Sequence, residues 1–127
     1  MAMFTHMVLG TNDLEKATAF YDATLGALGY KNMGPMGDHG MMYGQDAPEF
    51  IVTKPANGKP ATYANGGTLG FVAPSRKAVH AFHEEGLKAG GTCEGEPGPR
   101  AFAPTAYAAY LRDPDGNKIC TYCFAAE

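Results

Sequence analysis

A chain of 127 residues, 45% hydrophobic and 18% charged, is long enough for one globular domain or for two small halves sharing a core. Its formal charge of −3, with lysines and arginines scattered singly, excludes the basic stripe that a nucleic acid or an anionic membrane surface requires. No apolar run approaches the roughly 20 residues that cross a bilayer. The opening MAMFTHMVLGTND lacks the basic region and cleavage site of a secretory signal, so the expected compartment is the cytoplasm. Three cysteines, an odd number, point to reduced thiols rather than a disulfide framework.

In chain order, residues 3–9 (MFTHMVL) predict a first strand. Asn12 is placed to cap a helix, with Glu15 at capping-box spacing. Leu14, Ala17, Phe20, Tyr21, Thr24, Leu25 and Leu28 follow at helical spacing, and Gly26 and Gly29 are the expected stops. Short strands are predicted at about 28–33, 39–44 and 50–54, separated by glycine- and proline-rich turns. The segment KPANGKPATYANGG reads as a linker, after which the order repeats. TLGFVA is a strand, and Ser75 caps a second helix that carries Ala78, Val79, Phe82, Gly86 and Ala89 on one side. Gly90-Gly91 ends that helix, and strands follow near 91–96, 106–112 and 117–124. The chain therefore divides into a first module over about 1–55, a linker over about 56–66 and a second module over about 67–127. Both modules read strand–helix–strand–strand–strand.

Strand alternation sorts the reactive side chains by face. Phe4, His6 and Val8 point one way on the first strand, and Thr68, Gly70 and Val72 share a face on the fifth. In the last hairpin a type I turn with a bulge at Gly116 sets Asp113 opposite Asn117, Tyr110 opposite Cys120 and Ala108 opposite Tyr122. Cys120, Tyr122 and Phe124 then share a face, with Ile119, Thr121 and Cys123 behind it. Cys120 and Cys123 form a CxxC, but an offset of three on a strand turns their sulfurs apart. His80 and His83, at i, i+3 on the second helix, are expected to flank the buried Val79 and Phe82 stripe. Arg100 is either a solvated loop charge or an anchor for an anionic ligand group.

Three blocks, HMVLGTNDLEKATAFYDATLGALGY, GTLGFVAPSRKAVHAFHEEGLKAGG and PGPRAFAPTAYAAYLRDPDGNKIC, resemble the vicinal oxygen chelate superfamily. That superfamily includes glyoxalase I, ring-cleaving dioxygenases and fosfomycin and bleomycin resistance proteins. The resemblance implies an α+β fold in which paired βαβββ modules form a curved mixed sheet around a cleft. In its metal-dependent branches the cleft holds a divalent metal, and the ligand positions fall at His6, Thr68 and Cys120. A fourth ligand, on the fourth strand, falls at Ile51, or at Glu49 with a shifted register. Only His6 keeps the usual ligand. A threonine hydroxyl is a poor ligand, and a thiol suits Zn²⁺ better than Mg²⁺ or Mn²⁺.

The expected function is metal-free binding of, or metal-independent chemistry on, a small oxygenated or aromatic molecule in the cleft of a degenerate metal site. The alternative is a divalent-metal lyase or dioxygenase using His6 and Cys120, with Zn²⁺ or a similar ion. His6, Tyr110 and Cys120 are the candidate catalytic residues. Phe4, Thr68, Arg100, Tyr110 and Tyr122 are the candidate binding residues, and a homodimer is expected from the resemblance.

Overall fold

The computed structural model describes residues 2–127. Two βαβββ units follow one another along the chain. The first comprises β1 (Met7–Gly10), α1 (Leu14–Leu28), β2 (Lys31–Met36), β3 (Gly40–Gly44) and β4 (Pro48–Thr53). The second comprises β5 (Leu69–Val72), α2 (Arg76–Lys88), β6 (Thr92–Pro99), β7 (Tyr107–Arg112) and β8 (Lys118–Cys123). Residues 54–68 join them without helix or strand.

Each unit makes a four-stranded mixed sheet of the same order, β1-β4-β3-β2 and β5-β8-β7-β6. The first and last strands of each unit pair in parallel and the remaining neighbours are antiparallel. Pro35, which has no N–H to give a ladder, sits in β2, an edge strand. Each helix covers one face of its own sheet, and the two helices pack against each other. The core gathers there, with Phe20, Tyr21 and Leu25 of α1, Val79 and Phe82 of α2, and Val52, Leu111 and Ile119 of the sheets. Each such side chain is worth about 1.5–3 kcal/mol of burial. The opposite sheet faces are left open for a ligand or a partner.

Both helices start and stop on specific chemistry. The Asp13 carboxylate accepts from the Lys16 N–H at 3.1 Å, and the Ser75 hydroxyl accepts from the Ala78 N–H at 3.1 Å. Gly29, at φ 95°, closes α1 in the left-handed conformation, and its N–H donates to Gly26. Gly26 itself lies inside the helix. Asn12 is not the cap, because its amide is occupied elsewhere: it donates to the Ala61 carbonyl at 3.1 Å and accepts from the Ala61 N–H at 2.6 Å. Asn12 thus fastens the linker to the first unit.

The two units are stitched by side chains. The Tyr21 hydroxyl donates to Asp113, Asn117 donates to the Gly10 carbonyl at 3.0 Å, and Tyr30 donates to the Val72 carbonyl at 2.8 Å. One expectation needs correction. The first strand begins at Met7, so Phe4 and His6 lie in the segment leading into it. β4 runs back to Pro48, but its ladder with β1 starts only at Met7↔Phe50.

Candidate functional site

The last hairpin builds an aromatic wall. Gly116, at φ 89°, makes the bulge, and the Asp113 N–H donates to the Asn117 carbonyl at 2.9 Å. That turn fixes the register Tyr110↔Cys120 and Ala108↔Tyr122. Ala109, Leu111, Ile119, Thr121 and Cys123 therefore face the core, and Tyr110, Cys120 and Tyr122 face the open side. The Tyr110 and Tyr122 hydroxyls are hydrogen-bonded at 2.5 Å, with their rings edge-to-face at 5.9 Å. Phe124 stacks on Tyr122 at 5.5 Å, and Phe102 meets Tyr122 edge-on at 5.7 Å. Phe102 is 76% exposed and Phe124 50%, so the wall presents aromatic surface to whatever lies against it.

Two cations lie over this wall. The Arg100 guanidinium is 5.6 Å and the Lys118 ammonium 5.4 Å from the Tyr110 ring centroid. Arg100 is half-buried and donates to the carbonyls of Gly98 at 2.9 Å, Pro99 at 3.1 Å and Glu96 at 2.7 Å. It is a fixed charge rather than a solvated one. The loop turns its carbonyls inward and the guanidinium holds them.

Cys120 is buried beneath the wall, and burial pushes its thiol up to about 11 against the opposing pull of Tyr110, Lys118 and Arg100. At neutral pH it carries its proton, which makes it a weak nucleophile. Burial, then the Tyr122 hydrogen bond, also raises the Tyr110 hydroxyl. Behind Cys120 stands its register partner Gly70, where a Cβ would come 3.3 Å from the sulfur.

His6 belongs to a second feature. It is exposed, and its Nδ1 lies 3.0 Å from the Thr5 hydroxyl. With Phe4, Tyr30, Glu49, Phe50 and Phe71 it lines a cavity of about 300 Å³ at the junction of the two units, which also borders Gly70. Thr68 is exposed immediately before β5 and does not line that cavity. Hence Tyr110, Cys120, Tyr122 and Arg100 come together, Phe4 and His6 line the adjoining cavity, and Gly70 is common ground. Among the described residues, the cleft positions do not gather three His, Cys, Asp or Glu ligand atoms. With a lone thiol and a threonine in two of the places, and Thr68 outside the cavity that His6 lines, the donor set does not fit a resident divalent metal.

The other reactive residues are elsewhere. Cys123 is buried with its sulfur 3.4 Å from the Glu127 carboxylate, on the opposite face from Cys120, as strand alternation requires. His80 is exposed and pairs with the Tyr107 hydroxyl at 2.6 Å. His83 is buried and faces Cys93. The contributions of Phe102 and Lys118 have no sequence signal, since PGPRAFAPT is aperiodic and Lys118 reads as an ordinary solvent-facing strand residue.

The profile of the Glyoxalase/Bleomycin resistance protein/Dioxygenase superfamily matches residues 3–121. The chain belongs to this superfamily. A crystal structure of a glyoxalase/bleomycin resistance protein from Albidiferax ferrireducens T118 is 49% identical. It superposes with a TM-score of 0.86 over 96% of this chain and 98% of that one. Two more distant solved structures share the fold. A glyoxalase-related enzyme from Fulvimarina pelagi is 17% identical with a TM-score of 0.74, over 97% of this chain and 88% of that one. Lactoylglutathione lyase from Agrobacterium tumefaciens is 21% identical with a TM-score of 0.65, over 96% and 92%. No curated protein matches the chain. Membership accounts for the paired βαβββ units; the chemistry of the cleft rests on its own residues.

Proposed function

We propose that this superfamily member binds a small, flat, oxygenated or aromatic molecule against the Tyr110–Tyr122–Phe124 wall, without a metal. The observation that carries this reading is the exposed aromatic cluster with two cations held above its inner ring. Aromatic faces recognise flat ligands by stacking, and the Arg100 and Lys118 charges select a carboxylate or phenolate among them. The hydroxyls of Tyr110 and Tyr122 give the ligand's oxygens a donor and an acceptor. Exposed Phe4, Val72, Phe102 and Phe124 suit a homodimer that closes the open faces and brings the His6 cavity into play.

His6, exposed and in reach of a cavity ligand, is the group best placed to take or give a proton if the bound molecule reacts. Cys120 serves as a buried, neutral floor to the wall. A thermal-shift screen in the presence of chelator tests the reading. Aromatic carboxylates and phenols should raise the melting temperature, and saturated analogues of the same charge should not. If only added metal stabilises the protein and no aromatic does, the reading fails.

A further inference from the structure

A separate cluster of ligand-forming side chains lies on the far side of the second unit, between α2 and β6. His83 Nε2 is 3.1 Å from Cys93 Sγ, and Cys93 Sγ is 3.8 Å from Glu96 Oε1. The three ligand atoms all lie within 4.8 Å of one another. His83 is 5% exposed, locked among the buried residues of α2, while Cys93 and Glu96 are open to solvent.

This convergence is built by the backbone. On a regular strand, residues three apart point to opposite faces. Here a bulge interrupts the β6–β7 ladder: Cys93 pairs with Leu111, and Gly95, two residues on, pairs with Tyr110, one residue back. The extra residue resets the alternation. Gly95 then faces the aromatic wall, where a Cβ would meet Tyr110, and Cys93 and Glu96 both turn toward the helix. The Gly90-Gly91 turn is equally specific. Gly90 takes φ 103°, and a Cβ on Gly91 would come 2.6 Å from Phe20. That tight return lays the start of β6 beside the last turns of α2 and sets Cys93 against His83.

We propose that His83, Cys93 and Glu96 form a binding site for a late first-row divalent cation, Zn²⁺ above all, outside the cleft. An imidazole, a thiolate and a carboxylate are the donor types of three-ligand zinc sites, which keep a fourth position for water. In tetrahedral zinc geometry neighbouring donor atoms are roughly 3.4–3.6 Å apart, so the 3.1 and 3.8 Å separations need shifts of about half an ångström or less. The exposed Glu96 side chain closes the remaining gap to His83, which is within 4.8 Å. The two mobile ligands are the exposed ones, and the fixed ligand is the buried imidazole. Mg²⁺ and Ca²⁺, which take oxygen ligands, are excluded by the sulfur and nitrogen. On binding, the Cys93 S–H gives its proton to solvent and the sulfur takes the metal in its place, one proton released per ion. The ion clamps α2 to β6 and stabilises the fold by mass action.

The test uses the full chain, stripped with chelator and titrated with Co²⁺ and Zn²⁺. We expect one equivalent of Co²⁺ to give tetrahedral visible bands and a thiolate-to-cobalt charge-transfer band, displaced by Zn²⁺. Zn²⁺ should protect Cys93 from alkylation and raise the melting temperature. Cys93→Ser should abolish the charge-transfer band, and Glu96→Gln should weaken binding by at least about tenfold. Both positions are exposed, so neither substitution cuts into the core. His6→Ala and Cys120→Ser should bind as the parent does, which separates this site from the cleft. No charge-transfer band at saturating Co²⁺, or an unchanged band in Cys93→Ser, would overturn the proposal. So would loss of the site in His6→Ala.

Discussion

The Tyr21 hydroxyl donates a 2.6 Å hydrogen bond to the Asp113 carboxylate, joining the helix of the first unit to the hairpin turn of the second. Both groups are buried. Asp113 also accepts from the Asn117 side chain and from the N–H groups of Asp115 and Asn117, each at 2.9 Å. The turn that sets the register of the aromatic wall is thus held from the opposite unit. Tyr21→Phe should lower unfolding stability by about 1–3 kcal/mol at neutral pH. Burial raises the Asp113 carboxyl above its ordinary range, and the Tyr21 bond partly offsets this. Losing that bond raises it further, so the folded state disfavours the charged carboxylate more strongly. The destabilisation should be largest at neutral pH and shrink in acid, where the carboxyl is neutral. Urea unfolding of parent and variant at the two pH values measures it; a difference that grows in acid would contradict it.

The buried Cys120 thiol predicts an alkaline limb of stability. Its folded value, about 11, lies above the ordinary 9.0. Between those values the folded protein holds a proton that the unfolded chain releases. The contribution is therefore fully present below about pH 9 and is lost as pH rises to about 11, amounting to at most about 3 kcal/mol. In Cys120→Ser the loss of stability across that window should be shallower. The parent's Cys120 should also resist alkylation at pH 8 or so, where exposed Cys93 reacts. Equal labelling of the two thiols would show that Cys120 is not shielded as described.

Gly86 sits where the helices cross. A Cβ there would lie 2.4 Å from Leu111 Cδ1 and 3.0 Å from Thr24 Cγ2. Gly86→Ala gains about 1 kcal/mol of helix propensity but drives the buried Leu111 of β7 and Thr24 of α1 out of their packing. We expect a net loss of about 1–2 kcal/mol, read as a lower denaturation midpoint. A higher midpoint would mean that the crossing is looser than these contacts require.

Much of the fold was legible because its local signals agree with its pairing. The Asp113-Pro114-Asp115-Gly116 turn dictates one register, and Tyr110 and Cys120 face each other as that register requires. The helix stripe from Ala17 to Leu28 is buried as its spacing predicts. The expected cap, Asn12, is claimed by the linker, and the neighbouring Asp13 carboxylate caps α1 in its place. β1 starts only where its ladder with β4 begins, and β4 lies some 40 residues away in sequence. The His83–Cys93–Glu96 cluster was hidden because a bulge inverts the alternation that sorts side chains by face. His6 lines the junction cavity and Cys120 lies under the wall, and Gly70 borders both.

Binding of a flat, anionic or phenolic molecule by the wall of the last hairpin needs no metal. Isothermal titration of aromatic carboxylates into the protein in the presence of chelator measures it. We predict saturable binding that weakens by at least about tenfold, some 1.4 kcal/mol, in Tyr122→Ala. Saturated carboxylates of equal charge should give no comparable signal. Absence of binding in chelator, or binding indifferent to Tyr122→Ala, would contradict it.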